Sequence, residues 1–354
     1  MRRSHRVYSG YRGRRTSTDV LRIVAVVLGV LVVLAAAALF YVQNYLVYTD
    51  DGVRVELPFG LFREEEPLPD PGEVSVVERP GPEEQEEPEE PPAAEPAAGP
   101  LRAAELPLDS LVKGTARAEL EALGADALVV ELKDGSGRLA WQSEQALAGL
   151  TGGNGDEAVN RALAELEAAG VPVVARLTCF RDDAVPYYDT AVALRSGQGN
   201  WRDALGLRRM SPASQEARDY LAGLCGELAA LGVDELVLEQ AAFPAEGELS
   251  RINSDENYDP AAFSAQVEAF LTQVSETLAP YGTALSLRLE GAEVSRPEDS
   301  GLTAALAERF AARVWAREGA LTAEQIAELG GAERLVTIVD RLEDGSGAQG
   351  ALLS

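Results

Sequence analysis

One phrase recurs four times along the chain: the end of a helix, a glycine, a short turn and an apolar strand. Glycine at such a position supplies the left-handed backbone that ends a helix. Repeated units of this kind predict strands that alternate with helices, and therefore a parallel sheet. The four copies are LEALGADALVVE (120–131), LEAAGVPVVARL (166–177), LAALGVDELVLE (228–239) and AELGGAERLVTIVD (327–340).

Residues 101–354 match the size of a (β/α)8 barrel of the triosephosphate-isomerase type. We therefore predict the α/β class with this barrel as the fold of the region. The eighth strand is the weakest prediction, because little room remains for a helix before it. The predicted strands are 102–106, 127–132, 172–179, 235–238, 284–289, 313–315, 335–339 and 351–353.

An uncharged apolar segment near the N-terminus, Ile23–Val42, is long enough to cross a bilayer as one helix. Seven arginines precede it within residues 1–22, which predicts a cytoplasmic basic tail and a single-pass protein with its barrel outside the cell. The other interpretation is a cleaved signal peptide, since Ala35–Ala38 offers small residues for a cleavage site. The uncleaved anchor is favoured because the apolar run continues past those alanines.

Two segments connect this helix to the barrel. Residues 43–79 form a juxtamembrane segment, in which Asp51-Gly52 between apolar alternations predicts a hairpin. Residues 80–100 contain seven Pro and seven Glu and few apolar residues besides Ala. Such a composition cannot bury a core, so we predict a disordered, extended linker.

Charge and histidine content exclude several classes of function. The net charge of −27 argues against nucleic acid as a partner, because phosphate contacts need clustered Lys and Arg. The one histidine is His5, so the barrel can contain neither a Ser-His-Asp triad nor a His-ligated metal. We predict no cofactor and no metal, and assign acid-base chemistry to carboxylates. Cys179 and Cys225 are interpreted as buried hydrophobes, with a disulfide as the less favoured alternative.

Carboxylates gather where the predicted strands end. The C-terminal ends of barrel strands carry the chemistry of this fold, and glycoside hydrolysis needs a pair of carboxylates. The alternative is that an acidic chain places some of them there by chance or as helix caps. The carboxylates at these positions are Glu131, Asp134, Asp182, Asp183, Glu239, Glu290 and Asp340.

Other motifs are less specific. Gly152, Gly153 and Gly155 do not follow a strand directly, so they are not a phosphate-binding loop. The alternating polar residues 253–259 lack the glycine of a calcium loop, and a polar loop with Asp259 capping the next helix is favoured. Loop aromatics could stack on sugars or pack the loops, and the sequence leaves both open; they are Trp141, Tyr187, Tyr188 and Trp201.

Three segments resemble, in order and spacing, the glycosyl hydrolase domain family of bacterial surface proteins. They are ALVVELKDGSGRLAW, VPVVARLTCFRDD and the stretch from GNWRD to FPAEG, and the resemblance covers residues 101–290. It implies a (β/α)8 barrel acting on polysaccharide, with Glu239 catalytic beside Glu131 or Asp134. It further implies substrate contacts for Lys133, Arg176, Asp182, Trp201, Asp203, Gln240 and Glu290.

Several positions depart from the family's pattern. The Asp of its fourth strand is Glu239, and the Tyr and Arg that follow are Gln240 and Ala242. The Asp of its W-x-D-P motif is Ser211, and the Asp of its fifth strand is Arg288. Displacing a catalytic carboxylate by about 1 Å can cost on the order of a hundredfold in rate. Losing a general acid or base costs roughly 10² to 10⁴.

Two functional hypotheses follow. The first is a membrane-anchored, glycoside-hydrolase-like protein that acts on wall or extracellular polysaccharide, including the glycan of peptidoglycan, through paired carboxylates. The alternative is a catalytically inactive barrel that binds glycan or a protein partner at the cell surface. The sequence places both at the cell membrane, with the N-terminus inside.

Overall fold

A computed structural model describes residues 46–49, 52–55, 100–342 and 349–353. The chain divides into two units, Met1–Gln85 and Glu86–Ser354. In the first, β1 (Leu46–Thr49) and β2 (Gly52–Val55) pair as an antiparallel hairpin where the sequence predicts one. The predicted transmembrane segment and most of the predicted linker lie outside the described residues. Within the described ranges, no helix is both long and apolar enough to span a membrane.

The second unit is a closed barrel of eight parallel strands. Each barrel strand pairs with the barrel strand that follows it along the chain, and the last pairs with the first. All eight predicted strands are present, including the weak eighth, so the predicted barrel is confirmed. The strands are β3 (Arg102–Glu105), β4 (Ala127–Lys133), β5 (Val173–Thr178), β8 (Glu235–Glu239), β9 (Ala284–Arg288), β10 (Val314–Arg317), β11 (Leu335–Val339) and β12 (Gly350–Leu352).

Helices fill the connections and pack on the outside of the barrel. The connection from β5 to β8 is the longest and contains a small hairpin, β6 (Arg195–Ser196) and β7 (Gly199–Asn200). The helices are α1 (Leu108–Val112), α2 (Ala116–Leu123), α3 (Ala146–Thr151), α4 (Glu157–Ala168), α5 (Val185–Tyr188), α6 (Gln215–Ala230), α7 (Phe263–Leu278), α8 (Gly291–Ser295), α9 (Pro297–Ser300), α10 (Ala304–Phe310) and α11 (Ala323–Glu328).

Left-handed glycines end several of these helices, as the recurring phrase predicts. Gly124 follows α2 with φ of 66°, and Gly170 and Gly232 have φ of 65° and 84°. A side chain with a Cβ would strain each of these turns. The local sequence therefore determines where these three helices stop and where the strand after each begins.

The barrel buries two apolar regions, one inside the strands and one between strands and helices. Alanine, valine and isoleucine side chains and one large aromatic fill the inside, with Trp315 fully buried. At the N-terminal end, Glu235 accepts hydrogen bonds from Trp315 and Arg313, so this polar layer is satisfied. The other members of the inner cluster are Ala103, Ala127, Val129, Val174, Val237, Val336, Ile338 and Ala351.

Two secondary predictions from the sequence are also settled. Cys179 and Cys225 are buried and free, so the favoured interpretation as small core residues is confirmed. Asp259 accepts a hydrogen bond from the backbone N–H of Ala261 and caps the turn from Pro260, as predicted.

Candidate functional site at the barrel mouth

Five charged side chains gather at the C-terminal mouth of the barrel. Because parallel strands end at the same side, inward-facing residues from five consecutive strands meet there. They are Glu105 of β3, Glu131 of β4, Arg176 of β5, Glu239 of β8 and Arg288 of β9.

Arg176 lies at the centre of this group and is nearly buried. Its Nε donates to Glu239 Oε1 at 2.6 Å, its Nη1 donates to Glu105, and its Nη2 lies 3.7 Å from Glu131 Oε1. Burial alone would lower the pKa of Arg176, but the three glutamates outweigh it and raise that pKa. The guanidinium therefore stays charged and fixes the relative positions of three carboxylates.

Glu239 makes a second ion pair. The same oxygen, Oε1, accepts from Arg288 Nη1 at 2.9 Å. Arg288 occupies the position at which the resemblance expects an aspartate. The aspartate that the resemblance expects at this position is thus replaced by a guanidinium that forms an ion pair with Glu239.

Glu131 differs from Glu239 in its exposure. Its side chain is 45% exposed, against 14% for Glu239. Partial burial raises the pKa of Glu131; Arg176 opposes this, and the charges of Glu239 and Glu105 add to it. The side chain lines a cleft of about 360 Å³, a volume within the range of small-ligand sites.

Asp134 lines the same cleft but uses its carboxylate locally. Oδ1 accepts from the backbone N–H groups of Ser136 and Arg138 and from the Ser136 hydroxyl. Burial raises the pKa of Asp134, but these hydrogen bonds outweigh it and lower that pKa overall. Of the two predicted partners for Glu239, only Glu131 therefore has the environment of a general acid.

Two residues predicted to contact substrate are instead buried against each other. Lys133 and Asp182 have no exposed side-chain surface, and Lys133 Nζ lies 2.9 Å from Asp182 Oδ2. The pairing of β4 with β5 shifts register between Glu131 and Lys133, which takes the lysine away from the mouth. Lys133 also donates to the carbonyl of Thr178, so the pair holds the β5 loop and does not reach a ligand.

Of the four aromatic residues predicted in the loops, two are buried and two are exposed. Trp201 is buried and donates to the carbonyl of Glu248, and Trp141 is buried beside Glu227. Both tryptophans therefore pack the loops. Tyr187 and Tyr188 are exposed and contact each other edge to face at 5.2 Å.

The remaining predicted residues line a second, smaller cavity. The Asp203 side chain is buried and pairs with Arg181, while Gln240 is buried with a left-handed φ of 52°. Glu290 is exposed at the start of α8. Together with Arg209 and Glu293 these residues surround about 50 Å³.

Glu105 and the ion pairs of Arg288 were missed by sequence reasoning. Glu105 ends a short strand, RAAE, at the same position as the other strand-end carboxylates, so the sequence contained the pattern that could have identified it. Within the described ranges, no cluster of three or more His, Cys, Asp or Glu side chains is arranged to bind a metal.

A family profile described as "Putative glycosyl hydrolase domain" matches residues 104–314. The match covers more than half of the chain. The chain belongs to this family. In this member of the glycosyl hydrolase domain family, the matched span contains the mouth residues Glu105, Glu131, Arg176, Glu239 and Arg288.

Several solved structures are similar to this chain. A hypothetical protein from Ruminiclostridium thermocellum is 21% identical, with a TM-score of 0.42, over 52% of this chain and 96% of its own. The glycoside hydrolase domain of PgaB (BpsB) from Bordetella bronchiseptica is 15% identical, with a TM-score of 0.48, over 72% of this chain and 94% of its own. A comparison with curated protein sequences finds no significant match.

Proposed function

We propose that this protein hydrolyses a polysaccharide at the mouth of its barrel. Glu131 is the general acid that protonates the glycosidic oxygen, and Glu239 is the second carboxylate, acting as base or nucleophile. Membership of the glycosyl hydrolase domain family supports the class of reaction. The cleft that Glu131 lines would give a substrate access to the proposed acid, although Glu239 is not among the residues that line it.

The observation that carries the proposal is the contrast between two carboxylates that share one guanidinium. Glu131 is half exposed, contacts Arg176 only at 3.7 Å and has a raised pKa. Glu239 is mostly buried and forms close ion pairs with both Arg176 and Arg288. Environments that differ in this way separate an acid from a charged partner in hydrolases. Glu239 Oε1 and Glu131 Oε1 lie 2.6 Å and 3.7 Å from nitrogens of the same guanidinium, which brings the two carboxylates together at the mouth.

The proposal includes the cell surface as the place of action. The apolar segment Ile23–Val42, with arginines before it, supports a single-pass anchor. The Pro/Glu-rich residues 80–100 would then hold the barrel away from the membrane, where wall or extracellular polysaccharide is accessible.

The decisive test is the release of reducing ends from a panel of wall and extracellular polysaccharides by the full chain, purified in mild detergent. Glu131→Gln removes the proton donor without changing its shape, and we expect a loss of about 10² to 10⁴ in rate. Glu239→Gln should lose at least as much. Glu165→Gln, on an exposed face of α4, is the matched control and should keep full activity.

Release that survives in both mouth variants would show that the protein is a hydrolase with another site. If the folded protein releases reducing ends from none of the polysaccharides, the proposed hydrolase activity is refuted.

One observation favours a second function, an inactive barrel that binds glycan. Arg288 occupies an oxygen of Glu239, and it replaces an acid. In that case, polysaccharide should bind without being cleaved, and Glu131→Gln should alter the affinity without any reducing ends appearing. Cleavage by the unaltered protein would exclude this function.

A further inference from the structure

Two exposed tyrosines lie on the side of the barrel that carries the mouth. Tyr187 and Tyr188, the tyrosine platform, are 62% and 60% exposed at the end of α5. Because α5 follows β5, the platform lies where the barrel strands end. Aromatic rings left in water retain apolar surface that a ligand can cover with a gain in free energy.

Contacts with neighbouring residues fix the tyrosine platform. The two rings meet edge to face at 5.2 Å, with 88° between their planes. The guanidinium of Arg208 lies 4.8 Å from the centre of the Tyr187 ring, and Arg208 Nη1 donates to Asp183 Oδ1 at 2.7 Å. The rings are therefore oriented before a ligand arrives, which lowers the entropic cost of binding.

The tyrosine platform lies close to the cleft that Glu131 lines. α5 packs against α3, and Gly152, directly after α3, lines that cleft. A Cβ at Gly137 would lie 2.9 Å from the Cβ of Ala184, the residue before α5, and the next residue, Arg138, also lines the cleft. The tyrosines are therefore placed to contact a polymer that extends out of the cleft.

A further cleft, of about 540 Å³, borders the tyrosine platform and has the volume of a small-ligand site. This hairpin cleft lies between the β6–β7 hairpin and residues 248–253 of the loop after β8. Asn200 in its lining donates to the carbonyl of Pro186 in α5. Arg202, also in its lining, pairs with Asp183, the carboxylate that holds the platform. The platform and the hairpin cleft thus share their supporting contacts.

Side-chain amides give the hairpin cleft its hydrogen-bonding capacity. Gln198 is exposed in the lining, and Asn253 Oδ1 accepts from the backbone N–H of Gly197 at 2.8 Å. Within the described part of the chain, Nδ2 of Asn253 and Oδ1 of Asn200 make no hydrogen bond to the protein. Each amide therefore keeps a donor or an acceptor for a ligand.

The charged groups of the hairpin cleft are already paired. Arg202 Nη1 lies 3.1 Å from Asp183 Oδ1, and Arg251 Nη1 lies 2.8 Å from Glu248 Oε2. A charged ligand would have to compete with these pairs, whereas hydroxyl groups can bind the amides without breaking them. A stable protein interface buries roughly 1,200–2,000 Å² around an apolar centre, which two tyrosines between paired charges do not supply.

We propose that the tyrosine platform and the hairpin cleft form an accessory binding site for an uncharged polysaccharide. Its sugar rings stack on the two tyrosines, and its hydroxyl groups bind the amides of Gln198, Asn200 and Asn253. The accessory site lies apart from the five charged residues of the mouth and holds the polymer next to the cleft. The choice of a glycan rests on the proposed function, but binding here does not require the mouth to be active.

The test follows the tyrosines directly, by ¹⁹F NMR of the full chain in mild detergent labelled with 3-fluorotyrosine. The chain has 10 tyrosines, and the signals of Tyr187 and Tyr188 are those that disappear in the corresponding Phe variants. The ligands are β-1,4-linked hexasaccharides of glucose, N-acetylglucosamine and mannose, with hexagalacturonate as the charged counterpart. Every sample carries Glu131→Gln, so that no ligand is cleaved.

We expect at least one uncharged hexasaccharide to shift the signals of Tyr187 and Tyr188 to saturation. Tyr281 is the control within the same sample, because it is 53% exposed but lies just before β9, at the other end of the barrel. Its signal should stay unchanged throughout the titration.

Variants measure how much each part contributes. Tyr188→Ala should weaken the affinity, followed at Tyr187, on the order of tenfold, because one stacking ring is lost. Tyr188→Phe keeps the ring and should bind as the unaltered residue does. Gln198→Ala should weaken the affinity roughly two- to tenfold through the lost hydrogen bond. Tyr281→Ala is the matched control and should change nothing, with all melting temperatures recorded.

Three results would overturn the accessory site. They are no shift of Tyr187 or Tyr188 with any uncharged hexasaccharide, whatever hexagalacturonate does; a shift of Tyr281 as large as that of Tyr188; or an equal loss of affinity in Tyr188→Ala and Tyr281→Ala. Shifts that depend on protein concentration alone and vanish in Tyr188→Ala would show that the surface contacts a second copy of the chain, and the glycan site would be wrong.

The two proposals fail in different ways. If polysaccharide is cleaved in a Glu131-dependent manner but no hexasaccharide moves the two tyrosine signals, only the accessory site is wrong. If a hexasaccharide moves them and the unaltered protein cleaves nothing, the accessory site stands and hydrolysis is wrong.

Discussion

Glu131 and Asp134 lie three residues apart, yet their surroundings move their pKa values in opposite directions. Asp134 accepts three hydrogen bonds within its own turn, whereas Glu131 faces two other glutamates across Arg176. Sequence spacing treats them as equivalent candidates. The difference arises because one carboxylate is satisfied locally and the other is not.

The negative charge of Glu239 should affect the measured pKa of Glu131. Removing a neighbouring negative charge favours ionisation, so Glu239→Gln should lower the pKa of Glu131. Carboxyl-carbon NMR titration checks this whether or not the protein is active. Glu165→Gln should leave the titration of Glu131 unchanged, and an unchanged titration in Glu239→Gln would contradict the arrangement at the mouth.

Glu293 makes stability depend on pH. Burial, with the charge of Glu290, raises its pKa from 4.5 to about 7, while a backbone hydrogen bond and two arginines oppose the shift. The folded state then keeps a proton that the unfolded chain releases, so the free energy of unfolding falls as pH rises from about 4.5 to 7. The loss is on the order of 3 kcal/mol.

Glu293→Gln removes this dependence. As pH rises from about 4.5 to 7, the free energy of unfolding of the variant should increase relative to that of the unaltered protein. Above pH 7 the variant should remain the more stable of the two by a constant amount. Urea unfolding at pH 5 and pH 8 measures the difference. A constant gap between the two proteins at both pH values would show that Glu293 does not titrate there.

At the scale of elements, the glycines explain why the strands were predictable. Gly124, Gly170 and Gly232 each end a helix with a left-handed backbone, and the apolar run that follows each of them forms a barrel strand. Predicted bounds differ from the observed ones by at most two residues, as for 172–179 against Val173–Thr178. Hydrogen bonding to neighbouring strands determines those last residues.

Two glycines separate backbone strain from packing. A Cβ at Gly170 or at Gly149 would meet no atom within 4 Å, but Gly170 has φ of 65° and Gly149 lies inside α3. Gly170→Ala should therefore lower the free energy of unfolding by about 1–2 kcal/mol. Gly149→Ala should raise it by about 0.4–1 kcal/mol. Urea unfolding measures both changes in the free energy of unfolding. Changes of the same sign in the two variants would contradict this explanation.

At the scale of the whole molecule, the barrel is closed by its shortest strand. The three residues Gly350–Leu352 pair with β11 on one side and with β3 on the other. Deleting residues 349–354 would expose two unpaired parallel edges and the end of the inner core. We expect the truncated protein to lose cooperative thermal unfolding and to aggregate, whereas deletion of Ser354 alone should change neither property. Calorimetry and light scattering measure both.

The sequence by itself determined the class of fold, the positions of the eight strands and the exclusion of histidine chemistry from the barrel. These depend on local patterns: helix-ending glycines, apolar runs and composition. Only the tertiary structure decided which charged groups meet. Arg176 touches glutamates 71, 45 and 63 residues away, because barrel closure brings their strand ends together. Tertiary structure also decided the place of Lys133: a register shift between β4 and β5, invisible in either segment alone, turns it away from the mouth, where it pairs with the buried Asp182.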